Sequence, residues 1–124
     1  MEGHKIFKYR KLVVYQHALD YVEFIYSITE KFPKNEEYAL SSQIKRASYS
    51  IPSNIAEGSS RYSRKEQLHF MEIAFGSLLE TVCQAEIALK LGYTTEKDMC
   101  ELEQKAEDIY KMLSGWRRTL ESQI

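Results

Sequence analysis

The stretch from Ser63 to Gly92 most constrains what this chain can fold into, because it carries the start and stop signals of one long helix. Ser63 followed by Glu66 matches a capping box, in which each side chain satisfies a backbone N–H donor at a helix start. Gly92 suits the residue just past a helix end. The predicted helix, residues 64–91, is about 42 Å long. Apolar residues cover most of its circumference, so it requires neighbouring helices on several sides.

Two helices are predicted before it. Apolar residues at spacings of three and four predict a first helix over about residues 9–32. Pro33 ends it, because the residue before a proline is pushed out of the helical region. A second helix is predicted over about residues 37–60, and Glu36 and Glu37 suit the positive end of its dipole. Gly58 is interpreted as part of its C-terminal stop.

A fourth helix is predicted over residues 96–122, after a second capping pattern that begins at Thr95. Its apolar residues alternate spacings of three and four, as in a left-handed bundle: Met99, Leu102, Ala106, Ile109, Leu113, Trp116 and Leu120. Four helices with short loops predict an all-α, up-down-up-down antiparallel four-helix bundle. A chain of 124 residues is one domain by length, so residues 1–124 are predicted to form this bundle.

Composition bounds the class of protein. The chain is 44% hydrophobic and 28% charged, as in an ordinary soluble globular protein. Cys83 and Cys100 do not make a disulfide framework, so both are interpreted as reduced thiols in a cytoplasmic protein. No apolar run approaches the roughly 20 residues that a membrane helix needs. We therefore predict no membrane partner.

A polar stripe runs along the second helix beside its apolar stripe. Its members recur at spacings of three and four: Gln43, Arg46, Ser50, Asn54, Glu57 and Arg61. Residues four apart on a helix can touch, so the stripe mixes groups that can bond to one another. One interpretation is a half-buried polar network that fixes the register of the helix. The other is a site for a ligand or a partner.

Formal net charge is −1, but the charges are unevenly distributed. Residues 1–12 carry a net charge of +3 and residues 45–65 a net charge of +4. The candidate nucleic-acid-binding residues are the basic members of the second segment: Lys45, Arg46, Arg61, Arg64 and Lys65. These side chains are predicted either to contact RNA phosphates or to be ordinary solvated charges. Tyr9 and Tyr62, beside basic residues, either stack on bases or pack within the protein.

No catalytic constellation is present in the sequence. His17 and His69 show no metal-ligand spacing with the cysteines, and His69 with Glu72 reverses the order used by di-iron bundles. Glu57 beside Asn54 has no assignable second catalytic group. No phosphate-binding glycine pattern occurs. We therefore predict a protein that is not an enzyme and takes no metal or cofactor.

Helices one and three carry more apolar residues than one bundle core can use. Excess apolar surface on a soluble protein usually marks an interface, and homo-oligomers commonly cover it. Gly76 and Ser77, in the third helix, are small enough to let another helix approach closely. We predict a homo-oligomer in which these two residues form part of a packing strip.

Several segments together resemble a known family. They are Phe32-Pro33, Glu36, Tyr38-Ala39-Leu40, Gln43-Ile44-Lys45-Arg46-Ala47, Ser50 to Gly58 (SIPSNIAEG), Arg61 and Ala74-Phe75-Gly76-Ser77-Leu78. On these residues the chain resembles the four-helix bundle proteins encoded by intervening sequences of bacterial 23S ribosomal RNA genes, also called the S23 ribosomal protein family. The resemblance covers nearly the whole chain, although related sequences often carry Trp where this chain has Tyr15.

The resemblance implies a ring-like homopentamer and no established activity. It also implies similarity to the accessory variability protein of diversity-generating retroelements, a pentameric barrel that binds a reverse transcriptase and nucleic acid through a basic surface. The leading hypothesis is a non-enzymatic, oligomeric helical-bundle protein that binds RNA or an RNA-associated partner. The alternatives are a scaffold or assembly protein without nucleic-acid contact and an accessory protein of a reverse transcriptase.

Overall fold

The structure, a computed structural model, describes residues 6–124, so residues 1–5 of the predicted domain and of the basic N-terminal segment lie outside it. The chain forms four α-helices: α1 (Val13–Thr29), α2 (Leu40–Ser59), α3 (Arg64–Lys90) and α4 (Glu96–Ser122). Two short 3₁₀ turns, Lys8–Lys11 and Lys34–Glu36, precede α1 and α2. No strand occurs in the described chain, and the all-α prediction with four helices is confirmed.

Contacts between helix ends show that neighbouring helices run antiparallel. An ion pair of 3.1 Å joins Lys31, just after α1, to Asp98 at the start of α4. Another, of 3.7 Å, joins Glu72 in the first half of α3 to Arg117 near the end of α4. Each helix packs against the next one in the chain, and α1 closes the square by packing against α4.

Local signals place the start and end of α3 and the start of α4 where the sequence predicts them. The Ser63 hydroxyl accepts the backbone N–H of Glu66 at 2.9 Å, and the Thr95 hydroxyl accepts that of Asp98 at 3.1 Å. Gly92 has a φ of +79°, the left-handed conformation that favours glycine after a helix. The next N–H, that of Tyr93, bonds back to the carbonyl of Ala88 at 2.8 Å, which completes a Schellman end.

The first helix is shorter than predicted at both ends. It begins at Val13 rather than residue 9, because Leu12 is extended with a ψ of 126° and separates α1 from the 3₁₀ turn. Tyr9 in that turn packs edge-on against Tyr15 of α1, with ring centroids 5.0 Å apart. At the other end α1 stops at Thr29, three residues before the predicted end, and irregular turns lead to Pro33.

The second helix begins at Leu40, three residues later than predicted, because the 3₁₀ turn Lys34–Glu36 takes the preceding positions. Glu36 caps the start of α2 from four residues earlier in the sequence: its carboxylate accepts the backbone N–H of Leu40 at 3.3 Å. The helix ends at Ser59, one residue before the predicted end, so Gly58 lies inside its last turn and not beyond it.

Gly58 instead lies where α2 closely approaches α3. It is buried, and a Cβ atom built on it would lie 2.9 Å from the Cβ atom of Phe70. That distance is too short for any real pair of Cβ atoms. The two helices therefore meet at this separation only because residue 58 has no side chain.

One buried hydrogen bond crosses the core between α1 and α3, which lie diagonally opposite in the bundle. The Tyr21 hydroxyl lies 2.7 Å from the Thr81 hydroxyl, and both residues are fully buried. Thr81 donates its proton to the carbonyl of Leu78 at 2.6 Å, so Tyr21 must be the donor of the crossing bond. Burial raises the pKa of Tyr21 to about 12, although the bond to Thr81 opposes part of this rise.

Candidate nucleic-acid interface

The polar stripe of α2 divides into three separate contacts. They are Arg46 with Gln43 at 3.3 Å, Asn54 with Ser50 at 3.0 Å, and Arg61 with Glu57 at 2.7 Å. Only the middle pair is half-buried, since the Gln43 and Glu57 side chains are exposed. The structure thus places one pair of the stripe between helices and leaves part of each outer pair in solvent.

The middle pair is joined to α3 through Ser77, whose hydroxyl donates to that of Ser50 at 2.9 Å. Ser77 is buried by this contact within the chain. Gly76, its neighbour in sequence, is exposed, and a Cβ atom built on it would meet nothing within 4 Å. The predicted packing strip is therefore split: Ser77 faces α2, and Gly76 faces open space.

The five candidate basic residues do not form one patch. Lys45 and Arg46 lie in the first half of α2, and Arg46 is 13 residues from the helix end at Ser59, or about 20 Å along the axis. Lys45 places its ammonium over the ring of Tyr26, 5.2 Å from the centroid. The other three residues, Arg61, Arg64 and Lys65, lie at the turn between α2 and α3.

This turn combines a cation that is neutralised with two that are not. Arg61 is held by Glu57 and by the ring of Phe70, whose centroid is 4.8 Å from the guanidinium carbon. Arg64 and Lys65 are exposed and form no ion pair within residues 6–124.

The two tyrosines considered from the sequence differ in their surroundings. Tyr62, between Arg61 and Arg64, is 100% exposed. Tyr9 is half-buried between Phe7 and Tyr15, so it makes packing contacts. An exposed aromatic ring among cations matches the residue types that bind phosphates and stack on bases.

The antiparallel topology gathers more cations at the same end. We call residues 6–20, 50–76 and 110–124 the basic half, because these ranges contain nine basic and five acidic residues, a net charge of +4. Its basic members are Lys8, Arg10, Lys11, Arg61, Arg64, Lys65, Lys111, Arg117 and Arg118. The acidic half, residues 21–49 and 77–109, has seven basic and twelve acidic residues, a net charge of −5.

Sequence reasoning missed this separation of charge. It treated the N-terminal segment and residues 45–65 as separate blocks and did not consider the cations at the end of α4. Assigning each charge to an end of the predicted bundle would have revealed it. The same assignment would have moved Lys45 and Arg46 to the acidic half.

Other classes of site find little support in the described chain. Among residues 6–124, no group of three or more His, Cys, Asp or Glu side chains is placed to hold a metal ion. His17 and His69 are exposed, and Cys83 and Cys100 are free and exposed. None of the helices in this range is long and apolar enough to cross a membrane.

Comparisons with known proteins bear on the fold and the family. A search of curated proteins finds no match. A crystal structure of a protein of unknown function from the S23 ribosomal protein family of Bacteroides thetaiotaomicron is similar, with a TM-score of 0.78 and 24% identity. The match covers 85% of this chain and 98% of that one, and at this identity it shows the fold alone.

The model of one family matches most of the sequence. It describes the 23S rRNA-intervening sequence protein and matches residues 10–115. The resemblance seen in the sequence is thereby confirmed, while the likeness to the retroelement accessory protein stays a prediction. Neither the family description nor that of the similar structure names an enzymatic activity. The chain belongs to the 23S rRNA-intervening sequence protein family.

Proposed function

We propose that this protein is a non-enzymatic bundle that binds RNA through the phosphate backbone, using its basic half. The observation that carries the proposal is the turn from Arg61 to Lys65, where two cations without ion pairs among the described residues lie beside a fully exposed tyrosine. Lys8 and Lys11 extend the same half of the molecule and are also exposed. Phosphate contacts of this kind supply most of the affinity in binding that does not depend on base sequence.

The net charge of −1 does not oppose such binding, because the excess of negative charge lies in the acidic half, away from the turn. Helices of 27 residues are about 40 Å long, whereas charges in physiological salt are screened beyond about 8 Å. The electrostatic potential at a phosphate bound to the turn therefore comes mainly from the local cations, and the acidic half contributes little to it. Each phosphate neutralised there releases counterions, which makes the affinity depend on salt.

The double variant Arg64→Glu/Lys65→Glu tests the role of the turn. We expect affinity for RNA to fall about tenfold or more at low salt, because two phosphate contacts are replaced by repulsion. The slope of log affinity against log salt should flatten by about 0.7 to 0.9 for each phosphate that the protein no longer neutralises. Fluorescence anisotropy with a labelled RNA, over a series of salt concentrations, measures both quantities.

Lys90→Glu/Lys97→Glu is the matched control, since it changes the charge equally with two exposed lysines of the acidic half. It should alter affinity by less than about threefold, because these positions lie more than a screening length from the turn. Equal effects of the two double variants would contradict the assignment of the turn. An absence of binding by the unaltered protein at low salt would favour the scaffold function instead.

A second candidate function, assembly, is favoured by apolar side chains that the single chain leaves uncovered. Leu19 on α1 and Leu79 and Ile87 on α3 are 45%, 57% and 45% exposed. Uncovered apolar surface on two helices supports an oligomer. The family resemblance makes a ring of five the proposed form. Assembly and RNA binding are compatible, since a ring would repeat the basic half around one axis.

Light scattering at micromolar concentration should therefore give a mass several times the 14.5 kDa of the chain, with fivefold the expected value. Gly76→Leu adds bulk where the single chain has open space, so it should lower this mass without loss of helix content. Ser42→Leu also adds bulk, at an exposed position of α2, and should leave the mass unaltered. A stable monomer for the unaltered protein would overturn the assembly proposal.

A further inference from the structure

A cleft lined by three tyrosines lies between α1, α2 and the 3₁₀ turn before α1. Tyr9, Tyr15 and Tyr49 come from these three elements, and Pro52 and Ser53 of α2 lie beside them. The cleft has a volume of about 340 Å³. The proposed role of the Arg61–Lys65 turn does not use it. Among the residues that line it, Tyr9 was considered from the sequence and Leu19 belongs to the uncovered apolar surface of the assembly proposal.

The cleft offers both aromatic faces and polar atoms. Tyr9 meets Tyr15 edge-on at 5.0 Å, and Tyr49 is 47% exposed. Within residues 6–124, none of the three tyrosine hydroxyls forms a hydrogen bond with another protein group. The Ser53 hydroxyl donates to the carbonyl of Tyr49 at 2.9 Å, which leaves its oxygen free to accept. A ligand with a flat ring and a polar edge fits these groups, since rings stack and edges need donors and acceptors.

The charges near the cleft favour a ligand that also carries phosphates. Lys8 and Lys11 are the first and last residues of the 3₁₀ turn that holds Tyr9, and both are exposed and free of ion pairs among the described residues. The carboxylate of Glu57, on the adjacent turn of α2, is paired with Arg61 at 2.7 Å. This pairing weakens the repulsion that Glu57 would otherwise exert on a phosphate.

We infer that the tyrosine cleft binds an unpaired base of single-stranded RNA, with Lys8 and Lys11 contacting the adjoining phosphates. The inference rests on the proposed function and names its substrate class. A base inside a duplex is stacked and paired, so it cannot enter a cleft of this kind. Single-stranded RNA, by contrast, presents bases that stack on aromatic side chains, at about 1–3 kcal/mol per base.

Tyr49→Ala tests the cleft through the difference between two RNA ligands. We expect it to weaken binding of a uridine-rich single strand of about twelve nucleotides by about tenfold, the equivalent of removing one base–ring stack. Binding of a hairpin duplex should change less than twofold. Tyr49→Phe keeps the ring and should bind the single strand within about threefold of the unaltered protein.

Tyr38→Ala is the control, because Tyr38 is a 91% exposed tyrosine of the acidic half and does not line the cleft. It should leave the affinity for the single strand unaltered. Equal losses for Tyr49→Ala and Tyr38→Ala would overturn the inference. Thermal melting, monitored by circular dichroism, checks that both variants are folded.

Photochemical cross-linking of the unaltered protein gives a second test that needs no variant. A single strand containing 5-iodouridine should cross-link to Tyr9, Tyr15 or Tyr49, as identified by mass spectrometry. Cross-links at Tyr62 alone would overturn the cleft and leave RNA binding at the turn intact. The same conclusion would follow if Arg64→Glu/Lys65→Glu weakened binding and Tyr49→Ala did not. If the protein bound neither RNA, the cleft and the proposed function would both fall.

Discussion

Replacing Gly58 by alanine should destabilise the bundle by about 1–3 kcal/mol, even though alanine is the better helix former. The new Cβ atom would lie 2.9 Å from the Cβ atom of Phe70 and 3.5 Å from the carbonyl oxygen of Gln67. The contact with Gln67 is an ordinary one, but the Cβ atom of Phe70 is attached to the α3 backbone, so no change of rotamer removes that clash. Relief requires α2 and α3 to move apart, which opens the core beneath them.

Gly115→Ala is the matched control, because Gly115 also lies inside a helix but has space around it. Its nearest neighbour would be the end of the Arg118 side chain, 4.0 Å from an added Cβ atom. We expect this variant to be more stable by up to about 1 kcal/mol, the gain in helix propensity. Urea denaturation of both variants measures the difference. If Gly58→Ala stabilised the protein as Gly115→Ala does, the close approach of α2 and α3 would be wrong.

Alkaline pH should remove about 3 kcal/mol of stability between pH 10 and pH 12 through Tyr21 alone. The pKa of Tyr21 is raised from 10.0 to about 12 in the folded protein, because burial disfavours the phenolate. Between these values the unfolded chain loses the proton while the folded protein keeps it, so unfolding becomes more favourable as pH rises. Below pH 10 the contribution is fully present, and two pKa units correspond to about 3 kcal/mol.

Tyr21→Phe isolates this effect from the other tyrosines. Tyr93 also has a raised pKa, because its hydroxyl donates to the carboxylate of Glu36, but that contribution is unaltered in the variant. At pH 8 the variant should be less stable by about 1 kcal/mol, since the bond to Thr81 is removed. Its stability should then fall less steeply above pH 10, so the two curves of stability against pH should cross near pH 11, and the variant should be the more stable protein at pH 12. Parallel curves up to pH 12 would show that Tyr21 ionises normally.

The start of α3 and of α4 could be predicted because the signals are local. Ser63 and Thr95 each act on a backbone N–H three residues away, and the left-handed Gly92 terminates α3 within its own turn. The start of α1 could not be predicted in this way. Nothing in the 3₁₀ turn or at Leu12 breaks a helix by itself, and the break accompanies packing of Tyr9 against Tyr15.

Features that depend on the position of a neighbouring helix were also missed. Gly58 has the sequence context of a helix end, and only the position of Phe70 shows that it serves a close contact. The hydrogen bond of Thr81 could not be predicted, because its partner Tyr21 is 60 residues away in the sequence and lies on the diagonal helix. For the candidate site, the Arg61–Lys65 turn could be identified from the sequence because it is local, whereas its placement in the same half of the bundle as Lys8 and Lys11 follows from topology.

The separation of charge along the bundle also governs how the molecule turns as it approaches another charged body. Net charges of +4 and −5 occupy opposite halves of helices about 40 Å long, so the molecule has a large electric dipole moment. The field of a polyanion therefore rotates it, before contact, until the basic half leads. Association with a polyanion should accelerate at low ionic strength, although a net charge of −1 alone would predict the opposite. A cationic surface would meet the other end first, which allows one bundle to lie between two partners of opposite charge.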